Sequence, residues 1–367
     1  MTDLIHLGAC DLAARIRAGQ VKPSEVMSAH LTRIAQTNTR DEVFQFNDPS
    51  LAMIQAQLAD AMPATGPLHG VPFAIMDTIN TRGMPTSWGT QLYSDRVPER
   101  NAACVDAFLS AGAVPIGKTK TAAFAIGDSP NGAATAVANR VATFALCSGA
   151  PPATDVVVFK PTRGSYNLRG IMTLSESLDT LCILARDPQD FKVALPAICG
   201  FEGEGSVSAE PRIGYLQGAR FNELPQAVAT TRRAVQEVAQ FPLLGSLPQT
   251  QATIFAYEIA RFRAAEAALG PARVGQPICD LVTTGANVSE TTYSKALDQW
   301  RDAHDRLDDI LKDIDVLLAP GDQTHWRWMN HPCVTLPGGL QIMGRQGQDT
   351  QLLDVACRFF ERTQATT

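Results

Sequence analysis

Two serines lie in backbone segments that could present a nucleophile. Ser129 lies in the turn GDSPNGAA, just before a predicted helix N-terminus whose free N–H groups could hold an anion. Ser148 lies in CSGAPPA beside Cys147, whose thiol is a second candidate nucleophile. Each of these groups needs an adjacent base to become reactive. Turn or capping serines and a buried small thiol are the commoner uses of such residues.

One segment fits the phosphate-loop pattern GxxxxGK[ST]. Residues 112–119 read GAVPIGKT, but a phosphate loop requires a strand before it, a helix after it and free backbone N–H groups. Here a helical pattern precedes the segment, Pro115 removes one N–H donor, and AVPI is typical of a core strand. The sequence therefore predicts a strand, and nucleotide binding is kept only as a third alternative.

The histidines and cysteines give no metal-site pattern. None of the histidines forms an HxxxH or HExxH motif, and no CxxC pair occurs, so we expect no metal and no cofactor. The scattered cysteines favour reduced thiols in a cytoplasmic protein over a disulfide framework. The six histidines are His6, His30, His69, His304, His325 and His331.

Composition limits the possible partners. The chain has 367 residues, of which 45% are hydrophobic and 19% charged, with a formal net charge of −6. The negative charge argues against a nucleic-acid surface, and no apolar stretch is long enough to span a membrane. The N-terminal segment lacks the continuous apolar run of a signal peptide. We therefore expect neither nucleic acid nor membrane as a partner.

Helical and strand patterns alternate along the chain, which indicates an α/β fold. Predicted strands cover Val71–Met76 and residues 113–117, 156–160 and 315–321. Predicted helices cover residues 8–36 (interrupted at Gly19), Pro49–Met62, residues 101–112, Gly132–Ala145, Ala227–Val238 and Thr291–Ile314.

The order of these segments resembles the amidase signature family, serine amidohydrolases with a Ser–cis-Ser–Lys triad. Residues 66–90 (GPLHGVPFAIMDTINTRGMPTSWGT) resemble the strand that bears the catalytic lysine, and residues 102–125 resemble the next helix–strand unit. VVVFKPTRGSYNLRGI and SLDTLCILAR are similar to the block after the nucleophile. The resemblance implies one large domain over residues 1–367, with a mixed twisted β-sheet covered by helices on both faces. It leaves room for a helical subregion at about residues 220–315.

Carrying the family motifs over residue by residue gives the candidate site. Met76 stands where the family has its lysine, Ser129 matches the cis-serine, and Ser148 matches the nucleophile, four residues before Pro152. The family's glycine pair before the nucleophile is missing, and the stretch between the two serines is shorter. The binding residues that the resemblance implies are Asp77, Gly127, Asp128, Asn131, Gly132, Cys147 and Gly149.

These departures affect two parts of the family's mechanism. There, a neutral lysine withdraws a proton through the cis-serine, whereas methionine keeps the volume but offers only a weak sulfur acceptor. General-base assistance contributes about a hundred- to ten-thousand-fold to rate. Loss of one oxyanion donor costs about a hundred- to a thousand-fold, and the two adjacent prolines of CSGAPPA have no N–H to donate.

Two functional hypotheses follow. The first is a catalytically degenerate amidase relative that acts as a binding or structural subunit, with a small amide-like ligand, as a homo-oligomer or beside a companion protein subunit. The second is an active amidohydrolase on a small amide or urea-like substrate, using Ser148 or Cys147 with a substitute base such as Lys120. Lys118 and Lys160 match lysines of the family, which favours structural roles for them. The segment Trp326–Trp328 is a candidate pocket mouth or interface.

Overall fold

The strands form an eleven-stranded mixed sheet. The computed structural model describes residues 2–37, 40–64, 66–127, 131–149, 151, 155–200, 211–216, 235–238, 245–319 and 324–364. The strands are β1 (Phe44–Phe46), β2 (Pro72–Met76), β3 (Val114–Thr119), β4 (Phe144–Ser148), β5 (Val157–Lys160), β6 (Leu181–Ala185), β7 (Ile213–Leu216), β8 (Val235–Val238), β9 (Val316–Ala319), β10 (Cys333–Thr335) and β11 (Gln341–Gly344).

The strand order across the sheet is β1-β3-β2-β4-β6-β5-β10-β11-β9-β7-β8. β2 runs parallel to both β3 and β4, and β7 runs parallel to β8 and β9. The remaining neighbours pair antiparallel. The predicted α/β fold with a mixed sheet between helices is confirmed.

Helices flank the sheet. They are α1 (Ala9–Arg17), α2 (Pro23–Thr37), α3 (Arg40–Val43), α4 (Pro49–Asp60), α5 (Ala103–Ser110), α6 (Gly132–Ala138), α7 (Asp190–Cys199), α8 (Leu247–Phe262), α9 (Ala264–Ala267), α10 (Pro271–Val274), α11 (Gln276–Ala286), α12 (Glu290–Asp313) and α13 (Asp349–Gln364). Short 3-10 turns cover Thr2–His6, Gln91–Tyr93, Ala123–Ala125 and Thr324–Trp328.

Continuous apolar runs place the central strands in the core. Every residue of β2 is buried, as expected for a parallel strand covered on both faces. Phe73 of β2 packs against Phe108 of α5 with ring centroids 5.0 Å apart, and Phe108 contacts Phe144 of β4 at 5.8 Å. These aromatic contacts anchor β2 and β4, the two strands whose ends carry the candidate site.

A group of helices between residues 247 and 313 packs on itself and against the sheet. Gly285 of α11 lies so close to α8 that an added Cβ would stand 1.7 Å from the carbonyl oxygen of Ala256. Tyr257 of α8 stacks on Tyr293 of α12 with ring centroids 3.9 Å apart. This group falls within the range where the sequence suggested a helical subregion.

Two predicted helices differ from the structure. The helix expected over Gly132–Ala145 ends at Ala138, and residues 144–148 form β4 between β2 and β6. Tertiary pairing decides this segment, because its apolar run fits a buried strand as well as a helix. Of the helix expected over Ala227–Val238, residues 235–238 instead form β8, paired with β7, and residues 227–234 lie outside the described residues.

The segment that fits the phosphate-loop pattern is a core strand. Residues 114–119 form β3, and all of them are buried. β3 pairs with β2 on one side and with β1 on the other. The prediction of a strand at this place is confirmed.

Candidate functional site

Met76 is the last residue of β2. In the sheet register it lies beside Thr119, the last residue of β3, and β4 flanks β2 on the other side. Because β2, β3 and β4 run parallel, their carboxyl ends meet at the same edge of the sheet. Ligands of α/β sheets bind at that edge.

The Met76 thioether contacts two of the candidate groups. The Cys147 thiol donates to Met76 Sδ at 3.3 Å, and the Ser148 hydroxyl is directed at the same sulfur at 3.7 Å. Ser148 Oγ also shares a hydrogen bond of 2.6 Å with Thr78 Oγ1. Thr78 follows Met76 by two residues, so one turn supplies both of these neighbours of Ser148.

Cys147 is a poor nucleophile in this setting. Burial raises the pKa of its thiol to about 12, and the amide nitrogen of Asn131, 4.0 Å from Sγ, opposes that shift only in part. The thiol is therefore protonated at neutral pH, whereas the thiolate is the reactive form.

Asn131 and Gly132 organise the start of α6. The Asn131 side chain accepts hydrogen bonds from the backbone N–H groups of Ala133 and Ala134 at 3.1 Å, which is an N-cap. Gly132 allows close contact, because an added Cβ would stand 2.8 Å from the backbone N and O of Lys120. The predicted residues Asp128 and Ser129 lie outside the described residues.

Asp77 holds a turn. Its carboxylate accepts hydrogen bonds from Ser87 N, Ser87 Oγ and Gly89 N, with distances between 2.6 and 3.1 Å. Asp77 is fully buried. It therefore fixes the loop over residues 87–89, and its carboxylate does not line the cavity described below.

Lys118 and Lys160 bond to the backbone of the core. Lys118 pairs in register with Ile75, so its side chain projects from the opposite face of the sheet to that of Met76. Its ammonium donates to Ile79 O and to Thr86 Oγ1, and burial lowers its pKa to about 7. Lys160 Nζ donates to Pro161 O at 3.1 Å, and burial lowers its pKa to about 8. At the third candidate, Lys120, the backbone N–H donates to Val43 O at 2.8 Å.

A cavity of about 680 Å³ opens at the ends of β2 and β4. Met76, Cys147 and Ser148 form part of its wall, together with Gly127, Asn131 and Gly149 among the residues predicted from the sequence. This volume lies within the range of about 300–1,000 Å³ typical of small-molecule sites. The other described lining residues are Thr121, Ala122, Ala125, Ala134, Thr135, Ala138, Asn139, Pro151, Asp155, Met172, Leu174, Leu178, Asp179, Thr180, Phe255 and Trp328.

The tryptophan segment contributes one residue to the cavity. Trp328 lines it and stacks on Phe255, with ring centroids 5.7 Å apart and planes inclined by 20°. Trp326 is fully buried, and the Arg327 guanidinium donates to the carbonyl of Pro151. Of the predicted alternatives, a pocket mouth or an interface, the position of Trp328 supports the pocket.

Three polar residues of this region did not stand out in the sequence. Thr78 bonds to Ser148, and Asp179 and Thr180 line the cavity. Asp179 and Thr180 belong to SLDTLCILAR, which the sequence marked only as a family-like block. Their position beside β4 follows from the antiparallel pairing of β6, where Ser148 faces Leu181.

Two other kinds of feature are absent from the described residues. Over those ranges, no cluster of three or more His, Cys, Asp or Glu side chains is arranged to hold a metal ion. None of the helices in the part of the chain that the structure describes has the length and apolarity needed to cross a membrane.

Comparison with known proteins relates the chain to amidases in sequence. Residues 25–139 match the family model described as Amidase. A glutamyl-tRNA(Gln) amidotransferase subunit from Acidothermus cellulolyticus is 34% identical over 255 residues, which cover 60% of this chain and 50% of that protein. The chain thus spans about half the length of the curated relatives that it matches over this region.

Solved structures share the fold. A crystal structure of an amidase superposes with a TM-score of 0.87 at 21% identity, covering 97% of this chain and 100% of the other. A structure of a vestigial protein complex, described as revealing the evolutionary origins of an s-triazine catabolic enzyme, gives a TM-score of 0.85 at 20% identity, covering 97% and 98%. The resemblance to the amidase signature family that the sequence motifs indicated is confirmed.

Proposed function

We propose that this amidase-related protein is a binding or structural subunit that does not hydrolyse amides by the family's triad. The observation that carries the proposal is the Met76 thioether, 3.7 Å from the Ser148 hydroxyl and 3.3 Å from the Cys147 thiol. By the resemblance, an amine that accepts a proton belongs at this place.

Among the residues that the structure describes, no base is hydrogen-bonded to the Ser148 hydroxyl. Its described hydrogen-bonding partners are the Thr78 hydroxyl and the Met76 sulfur. A threonine hydroxyl is a weak acid, and a thioether accepts hydrogen bonds only weakly, so neither removes a proton at neutral pH. Without base assistance, a serine hydroxyl is a weak nucleophile.

The cavity supports ligand binding independently of catalysis. It keeps the size of a small-molecule site and combines apolar walls with Asn131, Thr180 and Asp179. A small amide-like molecule is therefore the ligand we propose. A companion protein subunit fits the relationship to one component of an amidotransferase, and assembly as a homo-oligomer is the alternative.

The cysteines support a reducing compartment. All eight are free thiols in the structure, and burial raises the pKa of Cys104, Cys199 and Cys357 to about 12. We infer a cytoplasmic protein, because free thiols persist where disulfides do not form.

Hydrolysis is tested with a panel of primary amides, ureas and esters. The expected result is no turnover above that of Ser148→Ala or Cys147→Ala, measured by ammonia or acid release. Turnover that either substitution abolishes would overturn the proposal and support the alternative, an active amidohydrolase. Thermal unfolding of each variant checks that it is folded.

A second measurement addresses the alternative directly. The 2.6 Å hydrogen bond to Thr78 holds the Ser148 hydroxyl in place, which is the observation in favour of a retained nucleophile. A fluorophosphonate probe should nevertheless label Ser148 no faster than it labels the unfolded chain. Rapid labelling confined to Ser148 would favour the alternative.

A further inference from the structure

The charge inside the cavity is one-sided. Asp155 and Asp179 line it, while no lysine, arginine or histidine is present among the lining residues that the structure describes. A pocket with low-dielectric walls and charges of one sign concentrates ligands of the opposite charge.

Asp179 is the inner carboxylate. Its Oδ2 accepts a hydrogen bond from Leu174 N at 2.8 Å, and neither Asp179 nor Asp155 forms an ion pair with a side chain that the structure describes. The Arg163 guanidinium donates to the backbone carbonyl of Asp179 but forms no ion pair with its carboxylate, so it compensates the negative charge only in part. It lies on the segment that leads into β6, opposite the end of β4.

Thr180 adds a buried hydroxyl beside Asp179. The residue is 1% exposed and lines the cavity, and its Oγ1 makes no hydrogen bond of ordinary geometry, although it lies close to the Cys182 thiol. Buried hydroxyls are normally hydrogen-bonded. Because Oγ1 itself is buried, a ligand N–H reaches it only when the Thr180 side chain rotates.

An aromatic pair forms another part of the wall. Phe255 and Trp328 are stacked and partly exposed to the cavity. Met172 and Leu178 add apolar surface. Aromatic faces attract organic cations, and most strongly when the aromatic residue is tryptophan.

We propose that this cavity binds a planar organic cation with several N–H donors, of the amidinium or guanidinium class, through Asp179, Thr180 and the Phe255–Trp328 wall. The inference rests on the proposed function, because it names the ligand class of the same site. An amidinium has the shape of an amide but carries N–H donors at both positions and a positive charge. The Asp179 carboxylate accepts hydrogen bonds from the N–H groups of the amidinium. Thr180 Oγ1 is a second acceptor, and the Phe255 and Trp328 rings cover the apolar part of the ligand.

Three small molecules of nearly the same shape test the charge preference. Isothermal titration calorimetry with benzamidine, benzamide and benzoate compares a cation, a neutral amide and an anion. Benzamidine should bind at least about tenfold more tightly than either of the others, since hydrogen bonds to charged groups contribute more than neutral ones. Equal or tighter binding of benzamide or benzoate, or no binding of benzamidine, would overturn the inference.

Matched variants assign the effect to Asp179. Asp179→Asn keeps an oxygen that can accept from Leu174 N but removes the charge, so benzamidine affinity should fall about tenfold or more while benzamide affinity changes little. Asp302→Asn removes an exposed carboxylate of α12 and should leave binding unchanged. Unchanged benzamidine affinity in a folded Asp179→Asn variant would also overturn the inference.

The two proposals fail in different ways. Ammonia release from benzamide would contradict the loss of hydrolysis without bearing on the charge preference. Failure of benzamidine to bind would contradict the ligand class while leaving the absence of turnover intact.

Discussion

Met76 Sδ lies 3.3 Å from Cys147 Sγ, with the thiol hydrogen directed at the thioether. The contact joins the ends of two parallel strands and is shielded from water, since Met76 is 5% and Cys147 1% exposed. The Met76 thioether and the Cys147 thiol, which are both polarizable and uncharged, therefore lie where the family resemblance implies an amine. The two side chains pack well against each other, but neither sulfur accepts a proton at neutral pH.

Met76→Lys should increase the reactivity of Ser148. A lysine stem fits the same volume, and its amine would find the Ser148 hydroxyl and the unbonded Thr119 Oγ1 nearby. Fluorophosphonate labelling of Ser148 should then rise by up to about a hundredfold, the lower range of base assistance. Met76→Leu is the size-matched control and should not differ from the natural protein. Equal labelling of both variants would contradict the prediction.

Cys147 should resist alkylation in the native protein. Because burial raises its thiol pKa from 9.0 to about 12, the thiolate fraction near pH 8 should fall roughly a thousandfold. Iodoacetamide labelling followed by peptide mass mapping should therefore detect Cys147 only after unfolding. The half-buried Cys279 serves as an internal comparison and should react sooner. Labelling of Cys147 in the native protein as fast as in the unfolded chain would contradict the prediction that its thiol is buried and protonated.

Lys118 should make stability rise with pH. Burial lowers its pKa to about 7 in the folded protein, from an ordinary 10.5. Between these values the unfolded chain binds the extra proton, so the free energy of unfolding increases by up to about 1.4 kcal/mol per pH unit. The stability that the deprotonated Lys118 amine provides at high pH is therefore lost as the pH falls from 10.5 toward 7. Urea unfolding of the natural protein between about pH 7 and pH 8.5 should show the rise.

The origin of that slope can be assigned with two variants. Lys118→Met should reduce the slope but leave the contribution of Lys160, whose pKa burial lowers to about 8. Lys22→Met, which replaces an exposed lysine, should preserve the full slope. A natural protein whose unfolding free energy is constant or falls over this range would contradict the prediction, whatever the behaviour of the variants.

Benzamidine binding should weaken in mild acid. Burial raises the pKa of Asp179 to about 6, with Glu258 adding to the shift and Arg163 opposing it. As pH falls through about 6 the carboxylate is protonated, and the attraction for a cation is lost. Calorimetry from about pH 7.5 to pH 5 should show this loss, and Asp179→Asn should remove most of it. A pH-independent affinity in the natural protein would speak against Asp179 as the anchor.

Gly285→Ala should destabilise the helical group. Its added methyl would stand 1.7 Å from Ala256 O, so α8 and α11 must separate. Such overpacking typically costs about 1–3 kcal/mol, which urea unfolding can measure. Gly245→Ala is the control, because no neighbouring atom of the described residues lies within 4 Å of its added methyl. Equal stability of the two variants would contradict the close contact.

Periodicity and composition predicted most of the framework. The amphipathic pattern of α12 fits a helical period, and the apolar run of β2, which follows the glycines and proline of residues 66–70, fits a strand buried on both faces. Residues 144–147 could not be assigned in this way. The short apolar run FALC suits a buried helix or a strand, and only its pairing with β2 and β6 decides between them.

The candidate site was predictable in part. Met76, Cys147, Ser148, Asn131, Gly127 and Gly149 all lie on one cavity wall, as the order of motifs suggested. Asp77 holds the turn over residues 87–89 because the loop after β2 returns to the Asp77 carboxylate. Residue types alone do not reveal this return. Thr78 contacts Ser148, which lies 70 residues later in the chain, and Asp179 lines the cavity because β6 pairs with β4.

The placement of β2 between β3 and β4 has a consequence for how this protein could change. A strand hydrogen-bonded on both sides cannot slide by one residue without turning each of its side chains to the wrong face. A side chain at position 76 therefore points into the same cavity whichever residue stands there. One substitution at position 76 can therefore change the functional group in the cavity without changing the surrounding sheet.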